Sequence, residues 1–375
     1  MTTAAVDVAV IGGGPAGSSA AIVLARGGAR VAVIDAPPLA SINVGETLPP
    51  AARPLMRDLG IWPSQIAGGH RPALANESVW GSDGVERTDF TRDPNGPGWH
   101  VDRVLLNASL HDAIRRAGAQ LIDDAAVESI SRRGTGWQLG VRAAGSPREI
   151  QANWLIDGTG RRSVLGQRFR IRRLRDDSLV AIVATLARRD GNAGPDPDCV
   201  TFVESAADGW WFTAVAPTGN RVLAYFTDSE EPSARTAATL DGFCALWASA
   251  PHLRERVRQS DWFIASAPSV RAAGSTRLAH GGGDGWVAAG DALMAFDPIS
   301  SQGLLTSCYT GLRAAEAILG GRGAMSDTAE RYSEVARGIY ASYLTARQTC
   351  YLGEQRWRDR PFWRARHRAC EPARS

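Results

Sequence analysis

The chain has 375 residues, with 42 basic and 39 acidic side chains and a formal net charge of +3. A balance this close to neutrality argues against a general nucleic-acid binder. An apolar content of 44% is that of an ordinary globular core, and no run of about 18 apolar residues exists, so no membrane span is predicted.

In chain order, the β-branched run at 6–11 predicts a buried parallel strand. Its length is too short for a signal-peptide core, so a cytoplasmic location is predicted. Glycines 12–17 turn the chain, 16–26 is a small-residue helix, and 29–35 is a second strand. Together they make one βαβ unit of about 30 residues. A helix is predicted over 104–117, and strands near 125–131, 136–143 and 153–156. From 179 to 227 the pattern changes to β-rich runs, notably 179–187, 211–216 and 222–226, broken by Gly and Pro. That pattern predicts an antiparallel sheet. A strand at 286–289 returns to the parallel pattern, followed by helices at 304–319 and 329–349. The organisation is a nucleotide domain interrupted by an inserted β-sheet domain.

Gly12-x-Gly14-x-x-Gly17 follows a strand and opens a helix. Gly12 permits the tight turn, Gly14 lets the backbone approach a pyrophosphate, and Gly17 lets helix and strand pack closely. The helix start at Pro15 and Ala16 offers free N–H groups to phosphate. Asp35 ends the second strand, where a carboxylate bonds ribose hydroxyls. These residues do not separate FAD from NAD. No second such unit is found, so a separate NAD(P)H domain is not expected.

The second segment bears on that choice. Trp286-Val-Ala-Ala-Gly290-Asp291 runs from a strand into a Gly-Asp turn, and Asp297-Pro298-Ile-Ser-Ser-Gln-Gly303-Leu304 opens a helix. Here the chain resembles FAD-dependent monooxygenases of the p-hydroxybenzoate hydroxylase fold. Related groups are the flavin-dependent halogenases, the geranylgeranyl reductases and the flavoproteins that mature tryptophan-derived quinone cofactors. The resemblance implies FAD, with Gly290 and Asp291 at the ribityl chain, Pro298 against the isoalloxazine, and the N–H groups near Gly303 and Leu304 facing its pyrimidine edge. It also implies that Arg103, in Trp99-His-Val-Asp-Arg103, holds the pyrophosphate; a surface arginine at a helix start is the other reading.

The fold expected is α/β: a discontinuous Rossmann-like FAD-binding domain (1–75, 98–170 and 275–345) with an inserted antiparallel β-sheet substrate domain (76–97 and 171–274). An Arg/Trp-rich C-terminal segment (346–375) follows. Val44-Gly45-Glu46-Thr-Leu-Pro49-Pro50 resembles a Gly-Glu-x-x-x-Pro segment that passes the flavin in the halogenase and reductase groups. Glu46 is read as an acid/base group or as a structural carboxylate. Trp210 and Trp211 stand where halogenases carry a Trp-x-Trp motif, and are read as substrate contacts or as core residues of a strand.

Every basic residue is Arg; there is no Lys. Halogenases of this fold direct hypohalous acid with a lysine, so halogenation is not expected. The activity expected is hydroxylation of an electron-rich aromatic, indole- or tryptophan-derived, through a C4a-hydroperoxyflavin. The substrate would be a small molecule or a tryptophan in a partner protein. Electrons would come from NAD(P)H or a partner flavin reductase, and oxygen from O2. An oxidase, an alkene reductase, a halogenase and a non-catalytic flavoprotein chaperone are the alternatives. Cys199, Cys244, Cys308, Cys350 and Cys370 are scattered, which indicates neither a metal site nor a disulfide framework. In the tail 355–375, Trp357, Phe362 and Trp363 would be costly in water, so it is expected to dock on the body or on a partner.

Overall fold

The computed structural model describes residues 3–37, 46–61, 69–188, 196–258, 262–321 and 323–368. Val44, Gly45 and Cys370 lie outside the described residues.

Two eight-stranded sheets organise the chain. In the first, Thr3–Ile11 lies between Ser146–Asp157 and Val31–Ile34, parallel to both. Gln120–Ile122 extends the parallel ladder beyond Val31–Ile34. Val8, Ala9, Val10 and Ile11 are all buried, the pattern of a central strand covered by helices on both faces. Ser146–Asp157 is long enough to branch. Its first half pairs antiparallel with Gly136–Ala143, and its last three residues pair parallel with Trp286–Ala288. The second glycine segment therefore joins the sheet of the first, which assembles the discontinuous domain that the sequence predicts.

The second sheet runs Trp262–Ile264, Leu179–Arg188, Arg221–Asp228, Gly209–Val215, Val200–Ala206, Ala75–Val79 and Glu86–Asp89, with Ser269–Ala272 also paired to Leu179–Arg188. All neighbours are antiparallel except Ala75–Val79 beside Val200–Ala206. Adjacent residues of a strand point to opposite faces, and this splits the tryptophan pair. Trp211 joins Tyr225 and Phe243 under the helices Pro232–Ala237, Leu240–Ala248 and Pro251–Arg258. Trp210 joins Phe226, Tyr351, Phe362 and Trp363 on the other face.

The helix Met325–Gly353 runs unbroken across residue 346, where the sequence suggests a boundary. The predicted helix 329–349 already crosses that point, and its buried face, carried largely by tyrosines, continues to Tyr351. The tail then turns into the helix Pro361–Arg368, which docks on the body of this chain. Phe362 and Trp363 are fully buried. Trp363 donates to the Ala206 carbonyl at 2.9 Å, and Arg366 forms a two-point pair with Asp228 at 2.8 and 2.9 Å. Among the described residues no helix is long and apolar enough to cross a membrane.

Trp363→Ala empties a closed site and removes that hydrogen bond. It is expected to destabilise the chain by about 3–5 kcal/mol, read by denaturant unfolding; a change under about 1 kcal/mol would mean that the tail is not part of the folded unit.

Candidate functional site

Three glycines set the first half of the site by what they exclude. Gly12 has φ +99°, and a Cβ there would lie 2.6 Å from the Gly158 carbonyl oxygen. A Cβ on Gly17 would collide with the Gly12 carbonyl, so the helix Pro15–Arg26 can sit against its strand only with glycine at that place. Gly14 differs: nothing lies within 4 Å of a Cβ built on it. It precedes Pro15 at the helix start, so an open cradle faces the positive end of the helix. Asp35 stands at its edge and accepts from the Gly13 N–H at 2.6 Å.

The second half comes from the helix Gly303–Leu319. Ala16 lies against Gly290 and Gly311, Ser307 lies against Gly290, and Gly27 lies against Leu319. The two helices therefore pack parallel, with the start of the first beside the middle of the second and their C-terminal ends together. Their N-termini point the same way, each with a partial positive charge, and the Gly303 end reaches about two turns further. Gly303 is exposed, with nothing within 4 Å of a Cβ built on it; Pro298 is exposed and Leu304 buried. Gly290 has φ +61° and donates its N–H to Thr310 Oγ1 at 2.8 Å.

Between the halves lies a set of charges. Glu46 Oε1 accepts from Arg103 Nη1 at 2.5 Å. Arg103 also reaches Asn107 at 3.3 Å, and Arg161 stands 3.6 Å from Asp291. Burial raises the Asp291 carboxyl above its usual range; Arg161 and Arg103 pull it back, and nearby Glu46 pushes it further up. These side chains share one electrostatic neighbourhood. Arg173, whose guanidinium burial lowers, donates to the carbonyls of Asp291 at 3.1 Å and Ala292 at 2.5 Å, which pins the Gly-Asp turn from behind.

The structure thus brings Gly12, Gly14, Pro15, Ala16, Gly17 and Asp35 to one edge, and Gly290, Asp291, Glu46 and Arg103 to one charged cluster. Pro298, Gly303 and Leu304 sit at the adjoining helix start. Trp210 and Trp211 do not join them. Each is 1% exposed and sealed in a core on its own face of the second sheet, so the substrate contact expected of them has no support in the geometry; packing demand on a central strand accounts for both. Sequence reasoning missed His111. It lies 3.3 Å from Asp35 and 3.1 Å from the Gly13 carbonyl. The signal was available: His111 follows Arg103 by two helical turns and so shares its face.

The pattern of the family described as FAD binding domain matches residues 5–317. The putative FAD-dependent oxidoreductase LodB of Marinomonas mediterranea is 25% identical over 380 residues, covering 96% of each chain. Among solved structures, the myxobacterial chondrochloren halogenase CndH superposes with a TM-score of 0.82 at 22% identity, over 97% of this chain and 86% of that one. The peptidyl tryptophan dihydroxylase QhpG superposes with a TM-score of 0.75 at 23% identity, over 97% and 79%. At these identities the two structures establish the fold, a two-sheet p-hydroxybenzoate hydroxylase architecture.

The hydrogen bond to Asp35 is the main reason that the His111 pKa is raised from 6.5. Its contribution to stability is complete below 6.5 and is lost as pH rises through the raised value. Unfolding free energy measured across that window is expected to fall with rising pH, and His111→Ala is expected to flatten that part of the profile. An unchanged profile in the variant would remove His111 from the cradle's edge.

Proposed function

The chain belongs to the FAD binding domain family and is an FAD-dependent oxidoreductase, and from that premise we propose that it is a monooxygenase hydroxylating an electron-rich aromatic ring of the indole or tryptophan type. The observation that carries the choice of reaction is the absence of lysine from all 375 residues. Oxygen transfer to an electron-rich ring needs no amine relay, whereas the halogenases that the chain resembles use one. Halogenation is the second reading, favoured by the fold shared with CndH.

FAD, when bound, supplies the oxygen activation and electron transfer. The residues present fit it. The open cradle at Gly14, flanked by Gly12, Pro15, Ala16 and Gly17, receives a pyrophosphate on free N–H groups. Asp35 takes the ribose hydroxyls with the oxygen that faces His111. Arg103 has five N–H donors, so it can serve the pyrophosphate while it keeps Glu46. Asp291 takes ribityl hydroxyls, and Gly290, pinned by Thr310, lets the turn close against Ala16 and Ser307. The open helix start at Gly303 and Leu304 would hold the flavin's pyrimidine edge with its free N–H groups, and its partial positive charge would stabilise negative charge there. Glu46 presents a second carboxylate oxygen beside the one that Arg103 holds, which makes it the acceptor for a substrate proton. Electrons reach the flavin from NAD(P)H or from a partner reductase. The substrate is an aromatic small molecule or a tryptophan in a partner protein.

Two measurements test this reading. Asp291→Ala removes charge-assisted hydrogen bonds of about 1.5–3 kcal/mol each, so FAD affinity is expected to fall by roughly ten- to a hundredfold, and Gly14→Val is expected to abolish binding by filling the cradle. Unchanged FAD affinity in either variant would overturn the assignment. With reduced FAD, O2 and bromide supplied together, indoles or tryptophan peptides are expected to gain oxygen derived from labelled O2, seen by mass spectrometry. A brominated product would establish the second reading instead.

A further inference from the structure

Asp297 is fully buried, and its carboxylate accepts from three separate groups. Its Oδ1 accepts from the Ile299 N–H at 3.0 Å and so caps the short turn Pro298–Ser300. Its Oδ2 accepts from the Tyr351 hydroxyl at 2.7 Å and from Arg347 Nε at 3.2 Å. Its backbone N–H donates to the Tyr343 hydroxyl at 2.8 Å. Its carbonyl accepts from the Ser300 N–H at 3.1 Å and from Ser300 Oγ at 2.9 Å. The turn from Pro298 to Gly303 lies outside both sheets, and its Ser301 has φ +51°, a conformation that costs a non-glycine residue of order 1–3 kcal/mol. Such a turn holds one shape only if its surroundings over-determine it, and Asp297 is where they do so.

Tyr343, Arg347 and Tyr351 are spaced four residues apart, so they line one face of the helix Met325–Gly353. Tyr343 also stacks on Phe296 with centroids 3.9 Å apart and rings inclined by 3°. Tyr351 in turn accepts from Trp210 Nε1 at 3.2 Å, and Trp210 stacks on Phe226 at 3.9 Å. The second sheet, the helix Met325–Gly353 and the turn beside the open helix start are thus joined through one carboxylate. Arg347 balances its charge and is tied on its far side to Asp177 at 2.8 Å.

We propose that Trp210, Tyr351 and Asp297 form a positioning relay that holds the turn between Pro298 and Gly303 in register for the flavin. The inference rests on the FAD reading above. It gives Trp210 a role exercised at a distance: its indole N–H orients the Tyr351 hydroxyl, which orients Asp297, which sets the turn. Tyr351 is a hydrogen-bond donor to Asp297 because burial keeps its hydroxyl neutral. The helix Met325–Gly353 therefore helps to set the cofactor site through this relay.

The test uses the full chain stripped of flavin and titrated with FAD, read by flavin fluorescence and by the visible absorption envelope of the bound form, with melting temperature measured alongside. Tyr351→Phe removes one hydroxyl and keeps the ring. It is expected to weaken FAD by about tenfold, equivalent to about 1.4 kcal/mol, and to shift the absorption envelope. Asp297→Asn is expected to do at least as much. Trp210→Phe combined with Tyr351→Phe is expected to cost less than the sum of the two, since both break one chain. Phe362→Leu is the control: Phe362 packs edge-on against Tyr351 at 6.2 Å, and its ring makes no bond in the relay. It is expected to lower the melting temperature with FAD affinity and spectrum unchanged. Tyr351→Phe with wild-type affinity and spectrum would overturn the relay. So would a loss of affinity no larger than that of a Phe362→Leu protein of equal melting temperature. Failure of the wild-type chain itself to bind FAD would instead defeat the flavin reading, and the relay with it.

Discussion

Two helices can pack backbone against backbone only if nothing larger than a methyl group stands between them. That constraint governs the region around Ala16. On one side Ala16 meets Gly290 and Gly311, where a Cβ on Gly311 would collide with the Ala16 carbonyl. One residue on, Gly17 meets Gly12, and Gly158 closes from the adjoining strand. Segments from near residues 15, 158, 290 and 311 converge within a single layer of backbone. The parallel packing of Pro15–Arg26 on Gly303–Leu319 follows, and with it the common direction of their positive ends. A ligand with a pyrophosphate at one end and an electron-accepting ring at the other matches two such ends better than a mononucleotide would, because it can occupy both. The charges of Glu46, Arg103, Arg161 and Asp291 then fall in the space between.

The second sheet depends on a different constraint. A strand with consecutive tryptophans must bury both faces. One face is covered by the three helices between residues 232 and 258. The other is covered by the chain's own C-terminal residues, and the tail's aromatics are consumed there: Trp80, Tyr351, Phe362 and Trp363 form a continuous set of edge and tilted contacts with centroids 5.2–6.2 Å apart. Rings sealed in this way are not free to grip a partner, so the cost of exposed aromatics that the sequence raises is met within the chain.

What was legible in the sequence was whatever the backbone demands of residue type. Glycine spacing after a β-branched run fixes the first βαβ unit, and Gly290-Asp291 after an apolar run fixes the return to the same sheet. The strand Glu86–Asp89 was not legible, because it is an exposed edge of charged residues with no hydrophobic alternation. Nor were the helices from 232 to 258, whose stabilisation comes from packing on Trp211 and Tyr225 more than from their own periodicity. In the site, Glu46 and Arg103 could be singled out separately, but their pairing joins residues 57 positions apart, and no local rule reports that. Trp210 and Trp211 stood out in the sequence for a property, aromatic size on a central strand, that core packing and ligand contact require equally; only their burial separates the two.

A chain whose cations are all arginine has a further physical consequence. Arginine stays charged when buried and binds a carboxylate at two points, so its ion pairs can act as rigid joints in places where a lysine would titrate. The joints here stand where elements meet. Arg366 ties the last helix to Asp228, Arg347 ties the long helix to Asp177 and Asp297, and Arg356 ties the tail to Glu354. Burial alone would raise Glu354, but Arg356, Ser205 and the Gly81 N–H bring its carboxyl down to about 2, so that joint stays ionised far below neutral pH. The same property that makes arginine a good joint makes it a poor reagent: it offers no neutral amine to accept an electrophile or to pass it on. Protein side chains in this site can therefore orient, pair and stabilise charge, and the redox chemistry falls to the flavin.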